Sequence, residues 1–250
     1  MPLRFIQRIE DHLAYDNYRP VDIDEARKQM RVSTDDAEAF AGAVERLTAE
    51  GRLEVGPDGK LRLPRYKEEV EGKLKLNPRG FGFVVPDHPT REGDLFVPVG
   101  QTKDALNGDR VRAKVLRKGG GHPMTRGGTG AQEGPTGRII EVLERGQQRF
   151  AGTLTKSGRE WLVVPDGRSL RDPVVVRDAG AKGEKAGDKV VFEIIRYPTD
   201  LDYAEGVITE VLGEAGRPDV ETRAVIDVFQ LKTEFLEEAV DEAREATRRF

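Results

Sequence analysis

The chain has no cysteine, which excludes disulfides and thiolate zinc sites. His12, His88 and His122 are its only histidines and lie too far apart in sequence to suggest a metal centre. Long apolar runs are missing as well. No stretch approaches the roughly 18 apolar residues of a membrane span, and Met1-Pro2-Leu3-Arg4-Phe5 carries no apolar signal core. The expectation is a cytoplasmic protein without a membrane partner. Several enzyme signatures are absent too: there is no Gly-x-x-x-x-Gly-Lys-Ser/Thr run, no His-Glu-x-x-His and no Gly-x-Ser-x-Gly. Aromatics make up only 6% of the residues, so any place where they gather is informative. The remainder is a highly charged sequence, 34% Asp, Glu, Lys and Arg over 250 residues, long enough for two or three small domains.

A net charge of −4 argues weakly against nucleic acid. Its distribution reverses the argument. Residues 65–118 carry twelve Lys/Arg against eight Asp/Glu, while residues 1–64 and 213–250 are acidic. The basic excess coincides with Arg79-Gly80-Phe81-Gly82-Phe83-Val84. In a strand alternate residues share a face, so Phe81 and Phe83 project together, and the two glycines are expected to leave the backbone open to a flat ligand. Neighbouring rings flanked by basic side chains suit stacking of unpaired bases. The competing reading is a strand whose phenylalanines fill a core.

An internal repeat bears on that choice. Val84-Val85-Pro86-Asp87 recurs as Val163-Val164-Pro165-Asp166, and Gly108-Asp109-Arg110-Val111 recurs as Gly187-Asp188-Lys189-Val190, both at a spacing of 79. One fold used twice follows. In this register Phe81 matches Glu160, which predicts an exposed Phe81. Phe83 matches Leu162 and Phe96 matches Val175, so for these two both the core and the exposed reading stand. Trp161 matches Gly82, facing opposite to Phe81, and is expected in a core. Gly137 to Leu143 matches Gly206 to Leu212 at a spacing of 69, so the first copy holds about ten extra residues. They fall in the glycine-rich stretch from Gly119 to Pro135, expected to be a mobile loop within the barrel.

Before the repeats, Asp22 and Glu25 have capping-box spacing and open a short helix through Met30. Ser33 or Thr34 caps a longer helix with Phe40, Ala43, Val44 and Leu47 on one face, ended by Gly51. Leu53 to Leu63 then forms a hairpin about Gly56-Pro57-Asp58-Gly59. Helix, helix, hairpin is the order of a winged helix. Its second helix carries Asp35, Asp36, Glu38, Glu45 and Glu50 against Arg46, which disfavours contact with phosphates. After the repeats, Phe235, Leu236, Ala239, Val240 and Ala243 form an apolar helical stripe, suited to packing on the barrels or to docking a further domain.

Asn77-Pro78-Arg79-Gly80-Phe81-Gly82-Phe83-Val84, followed by Asp94-Leu95-Phe96-Val97-Pro98, resembles the paired RNA-binding strands of a cold-shock domain, a five-stranded OB barrel. The order winged helix, aromatic cold-shock domain, weaker second cold-shock domain resembles the N-terminal half of bacterial ribonuclease R, in the ribonuclease II/R family. The resemblance spans nearly the whole chain. It departs at Lys73-Leu74-Lys75-Leu76, which lacks an aromatic that free-standing cold-shock proteins carry, and at Pro98, where they place a histidine. The implied architecture is α+β and multidomain: a winged helix over 1–64, two tandem OB barrels over 65–145 and 146–213, and a helical tail over 214–250 leading toward a nuclease domain.

The resemblance implies single-stranded or structured RNA as partner, with Lys75, Arg79, Phe81, Phe83 and Phe96 as the contacting residues. It also implies a hydrolytic 3′-to-5′ exoribonuclease as parent enzyme. Catalysis there belongs to a domain beyond the second barrel, where aspartates spaced D-x5-D-x-D-D hold magnesium ions. That signature is not in these 250 residues, so the chain alone is expected to be inactive, with no catalytic residue, metal site or cofactor of its own. Asp16, Asp22, Asp24 and Glu25 reproduce the spacing with glutamate last, but in the wrong domain and with a capping role already assigned. Two other functions remain open: a free-standing RNA-binding or RNA-chaperone protein, and a protein-contact module whose acidic helix meets a ribosomal or regulatory partner.

Overall fold

The structure, a computed structural model, describes residues 3–117, 134–167, 169–170, 172–180, 183–198, 202–231 and 237–248. The chain forms two compact units, Met1–Gly146 and Gln147–Phe250. Most of the glycine-rich stretch from Gly119 to Pro135 lies outside the described residues. So do Phe235 and Leu236 and the side chains of Ala239, Val240 and Ala243.

The first unit begins with three helices, α1 (Leu3–Leu13), α2 (Ile23–Gln29) and α3 (Ala37–Ala49). Helix α1 is an addition to the two helices expected from the sequence. Its signal was the spacing of Phe5, Ile9 and Leu13, which places one apolar side chain per turn on a single stripe, and all three are buried against Phe40, Val44 and Leu47. Asp22 caps α2 as its spacing predicts, its carboxylate accepting the Glu25 amide at 2.9 Å. Ser33 instead precedes a single 3₁₀ turn, Thr34–Asp36, and makes no side-chain capping bond. Gly51 adopts the left-handed conformation (φ +69°) that ends α3. The hairpin β1 (Glu54–Val55) and β2 (Leu61–Arg62) follows, and Leu53, Leu61 and Leu63 close the same core. Glu10 is buried there, gripped by Arg52 through Nε at 2.9 Å and Nη2 at 2.6 Å. That pairing is what makes a buried carboxylate tolerable, and it ties α1 to the chain leaving α3.

Two closed five-stranded barrels make up most of the rest. The first comprises β3 (Glu69–Leu76), β4 (Gly82–Pro86), β5 (Leu95–Val97), β6 (Arg110–Arg117) and β7 (Thr136–Glu144), in the order β3-β4-β5-β7-β6. The second comprises β8 (Arg149–Ser157), β9 (Glu160–Pro165), β10 (Val174–Val176), β11 (Asp188–Arg196) and β12 (Glu205–Glu214), in the matching order β8-β9-β10-β12-β11. Each has one parallel pair, β5 with β7 and β10 with β12. These are OB-type barrels.

Pairing explains why the two tetrapeptides repeat. Val84 and Val163 are fully buried, and Pro86 and Pro165 sit opposite Gly72 and Gly152. A Cβ on either glycine would meet the facing backbone carbonyl, at 2.1 Å and 2.5 Å. In the second motif Gly108 and Gly187 donate to the carbonyls of Leu74 and Leu154, both at 2.8 Å. Asp109 and Asp188 accept the amides of Leu106 and Lys185, again both at 2.8 Å. The motifs meet through an ion pair used twice: Asp87 with Arg110 at 2.6 Å, and Asp166 with Lys189 at 3.0 Å. The later change of register also holds, since Gly137 and Gly206 both pass close over the core, against Leu95 and Val174.

Helix α4 (Pro218–Phe229) covers the second barrel, burying Val220 and Ala224, and Glu221 reaches the buried Lys189 at 3.1 Å. Helix α5 spans Glu237–Arg248. Among the described residues no helix is long and apolar enough to cross a membrane.

Candidate nucleic-acid interface

On the first barrel the alternation of β3, β4 and β5 separates two faces. Leu74, Val84, Leu95 and Val97 point inward and are fully buried. Their neighbours point out. Lys75 pairs with Phe83, and Phe83 with Phe96, so these three side chains form one row across three adjacent strands. Phe83 and Phe96 are half-buried, with ring centroids 5.5 Å apart. This settles which side of the sheet they occupy: it is the outer one, and their aliphatic counterparts Leu162 and Val175 are likewise half-buried on the outer side of the second barrel.

Phe81 lies one residue before β4 and completes a triangle. Its ring stands edge-on to Phe83 (6.1 Å, 88°) and tilted toward Phe96 (5.8 Å, 46°). It is half-buried rather than fully exposed, because the other two rings cover one side of it. Such edge-to-face contacts fix the rings relative to one another and leave an apolar platform on an otherwise charged face.

A turn at the end of this platform presents Arg79. Gly80 donates to the Asn77 carbonyl at 2.9 Å with φ +95°, the Asn77 side chain accepts the Arg79 amide at 2.9 Å, and Asn77 donates to the Phe81 carbonyl at 2.8 Å. Arg79 is therefore held at the tip by its backbone while its side chain stays exposed. The role expected for Gly82 needs correction. Gly82 faces inward and is buried; a Cβ there would come within 2.9 Å of Leu74 Cδ1 and 3.0 Å of the Lys75 carbonyl. The glycine makes room for the barrel core, and the open surface beside the rings owes nothing to it.

Charge on this face is divided along β3. Glu71 is paired with Arg110 and Arg112 at 2.8 Å each, which occupies those arginines. Lys73 and Lys75, further along the outer side, are exposed and form no ion pair among the described residues, and the same holds for Arg79. Lys73 joins the residues expected from the sequence, since the two-residue period of Lys73 and Lys75 puts both on one face of β3. Asp94, beside Lys75, is held above the usual carboxylate range by desolvation, against which the Lys75 ammonium acts. The structure thus brings Lys75, Phe83 and Phe96 into one row, with Phe81 against the rings and Arg79 at the adjoining turn.

The second barrel lacks these groups at matching places: Thr155 pairs with Leu162, and Leu162 with Val175. Trp161 departs from expectation. It is half-buried beside the β8–β9 hairpin, with Lys156 Nζ 5.2 Å from its ring centroid, and not in the fully buried core. The aspartates of the metal-like spacing do not gather either. Asp22 is engaged as a helix cap, and among the described residues no group of three or more His, Asp or Glu could hold a metal ion.

Comparison with known proteins agrees with this geometry. A family model described as the ribonuclease B OB domain matches residues 72–125, and one described as a cold shock domain matches residues 162–235. Ribonuclease R of Thermotoga maritima is 30% identical over 241 residues, covering 94% of this chain and 31% of that protein. Ribonuclease R of Acidithiobacillus ferrooxidans is 23% identical over 229 residues, covering 91% of this chain and 49% of that protein. The chain thus spans between about a third and a half of the length of these relatives. Among solved structures, the apo form of Mycoplasma genitalium RNase R superposes with a TM-score of 0.55 at 20% identity, over 70% of this chain and 26% of that one. The same protein in complex with ribose-methylated single-stranded RNA gives 0.55 at 19% identity, with the same coverage. These superpositions speak to the fold.

Proposed function

We propose that this chain, which belongs to the ribonuclease R family through the N-terminal region of those proteins, binds single-stranded RNA on the outer face of its first barrel. Phe81, Phe83 and Phe96 stack on bases, and Lys75, Arg79 and Lys73 hold the phosphates on either side. The observation that carries this reading is the row Lys75–Phe83–Phe96: a mobile single strand offers flat bases and a regular line of negative charge, and the row answers both. Single strands fit better than duplexes, because in a duplex the base faces are stacked on one another and closed to side chains.

In the parent enzyme this segment delivers RNA to a 3′-to-5′ nuclease whose magnesium-binding aspartates lie outside these 250 residues. The partition into a winged helix over 1–64, barrels over 65–145 and 146–213 and a helical tail over 214–250 belongs to the same reading, as does a cytoplasmic setting. Support for the winged helix comes from its order of helices followed by a two-stranded hairpin. Its acidic face is a weak candidate for RNA or for a ribosomal partner, since at the surface Asp36 is already paired with Arg4, and Glu50 with Arg46 and Arg52. The test removes the rings and keeps the charge: Phe81→Ala, Phe83→Leu and Phe96→Val together should abolish most single-stranded RNA binding by the intact chain, and unchanged affinity would reject the reading.

A further inference from the structure

Gly82 and Trp161 occupy equivalent positions, and the residues facing them differ in a correlated way. In the first barrel Gly82 pairs with Leu76, and the space a side chain would take is filled by Leu74 and Leu76. In the second barrel Trp161 pairs with Lys156. The leucine and glycine that pair where β3 turns into β4 are replaced by a lysine and tryptophan where β8 turns into β9. The replacement makes a poorer plug: the indole is only half-buried and its cover is an exposed ammonium group. A purely structural role would be met better by the leucine and glycine of the first copy.

Beside this pair the turn is basic. Ser157 pairs with Glu160, leaving the two-residue turn Gly158-Arg159 with glycine first (φ +61°), a form that antiparallel hairpins favour. Arg159 at its tip and Lys156 at its root are both exposed, and neither forms an ion pair among the described residues. Glu160, also exposed, is the one acid in the hairpin from 156 to 161. The hairpin joins the first two strands of the barrel, and in OB folds that loop is one of the places where oligonucleotides bind.

We infer that the β8–β9 hairpin is a second single-stranded RNA site, in which one base stacks on Trp161 in place of the Lys156 ammonium, and Lys156 and Arg159 take the adjoining phosphates. The second barrel then engages RNA at this hairpin, having lost the aromatic face of the first. This rests on the reading of the chain as an RNA-binding protein, and one property of the sequence lets the two be tested apart: Trp161 is the only tryptophan.

The experiment titrates the intact chain with a labelled oligouridylate of about 12 nucleotides, within the span of one or two OB barrels. RNA anisotropy and tryptophan emission are followed together. Binding should quench the indole, and quenching should persist at saturating RNA when Phe81→Ala, Phe83→Leu and Phe96→Val have weakened the first barrel. Trp161→Leu should lower affinity by roughly fivefold or more, with a thermal melt to check folding. If that variant does not fold, the emission of the unsubstituted chain decides. Anisotropy that reports binding while emission stays constant overturns this inference and leaves the first-barrel site standing. Absence of any anisotropy change overturns both.

Discussion

Gly82→Ala separates a structural from a functional role for the glycines of the aromatic strand. An added methyl would lie 2.9 Å from Leu74 Cδ1, 3.0 Å from the Lys75 carbonyl and 3.4 Å from Leu76 Cδ1. Carbon atoms in good contact sit about 3.5–4.0 Å apart, so the methyl is roughly half an ångström too close on two sides. Leu74 could rotate only within a fully buried core, and the Lys75 carbonyl is fixed in the β3–β4 ladder. Overpacking of this kind costs about 1–3 kcal/mol. For a domain of some 80 residues each kcal/mol lowers Tm by about 4–8 °C, so a fall of roughly 5–20 °C is expected by calorimetry or circular dichroism. RNA affinity measured well below the new Tm should stay within about twofold, since the methyl points away from the rings. The reasoning is refuted if Gly82→Ala melts with the unsubstituted chain but loses RNA binding, which is the outcome required if the glycine were there to admit a base.

Two further expectations concern charge. Lys75→Ala and Arg79→Ala should each reduce the magnitude of the log–log salt slope of RNA binding by about 0.7, the value for one lost phosphate contact on a single strand; an unchanged slope in both would remove them from the RNA path. On the second barrel, Asp166→Asn with Glu221→Gln should destabilise by about 3 kcal/mol, because it strands the buried Lys189 ammonium, whereas Lys189→Met should cost much less because the two carboxylates left behind are at the surface. The Glu221 carboxyl is held below its ordinary range by the Gly216 amide and then by Lys189, so its contribution is present above the normal glutamate pKa and is lost as pH falls through the lowered one. Acid melts of Glu221→Gln should show a smaller loss of stability over that interval.

The barrels were legible because their repeat was written in residues that backbone geometry demands: Gly108 and Gly187 in turns, Asp109 and Asp188 accepting amides, and an acid and a base that meet in both copies. Helix α1 was not, since its apolar residues Phe5, Ile6, Ile9 and Leu13 are few and set among Arg4, Arg8, Glu10 and Asp11. Phe83 and Phe96 could not be assigned from their counterparts, because leucine and valine suit a half-buried outer face as well as a core. Strand pairing decided the matter by setting them opposite to Leu74, Val84 and Leu95 in facing. Trp161 was misplaced for a related reason. Its parity is inward, as read from Gly82, but it is the second residue of β9, beside the hairpin, with the buried Val176 on one side and a lysine on the other. Parity fixes a side of the sheet, and depth depends on where along the strand a residue falls.

The central claim is that the three phenylalanines bind RNA by stacking. It is tested most directly by a salt titration of single-stranded RNA binding for the chain carrying Phe81→Ala, Phe83→Leu and Phe96→Val, with a thermal melt alongside. The second barrel carries Leu162 and Val175 at the places equivalent to Phe83 and Phe96, so Tm should move little. Stacking contributes about 1–3 kcal/mol per base, and loss of more than one ring should weaken binding by at least 2 kcal/mol, about 30-fold, while the salt slope stays the same because no phosphate contact is removed. Unchanged affinity in a chain that melts normally, or a collapse of Tm that accounts for any lost binding, would contradict the account.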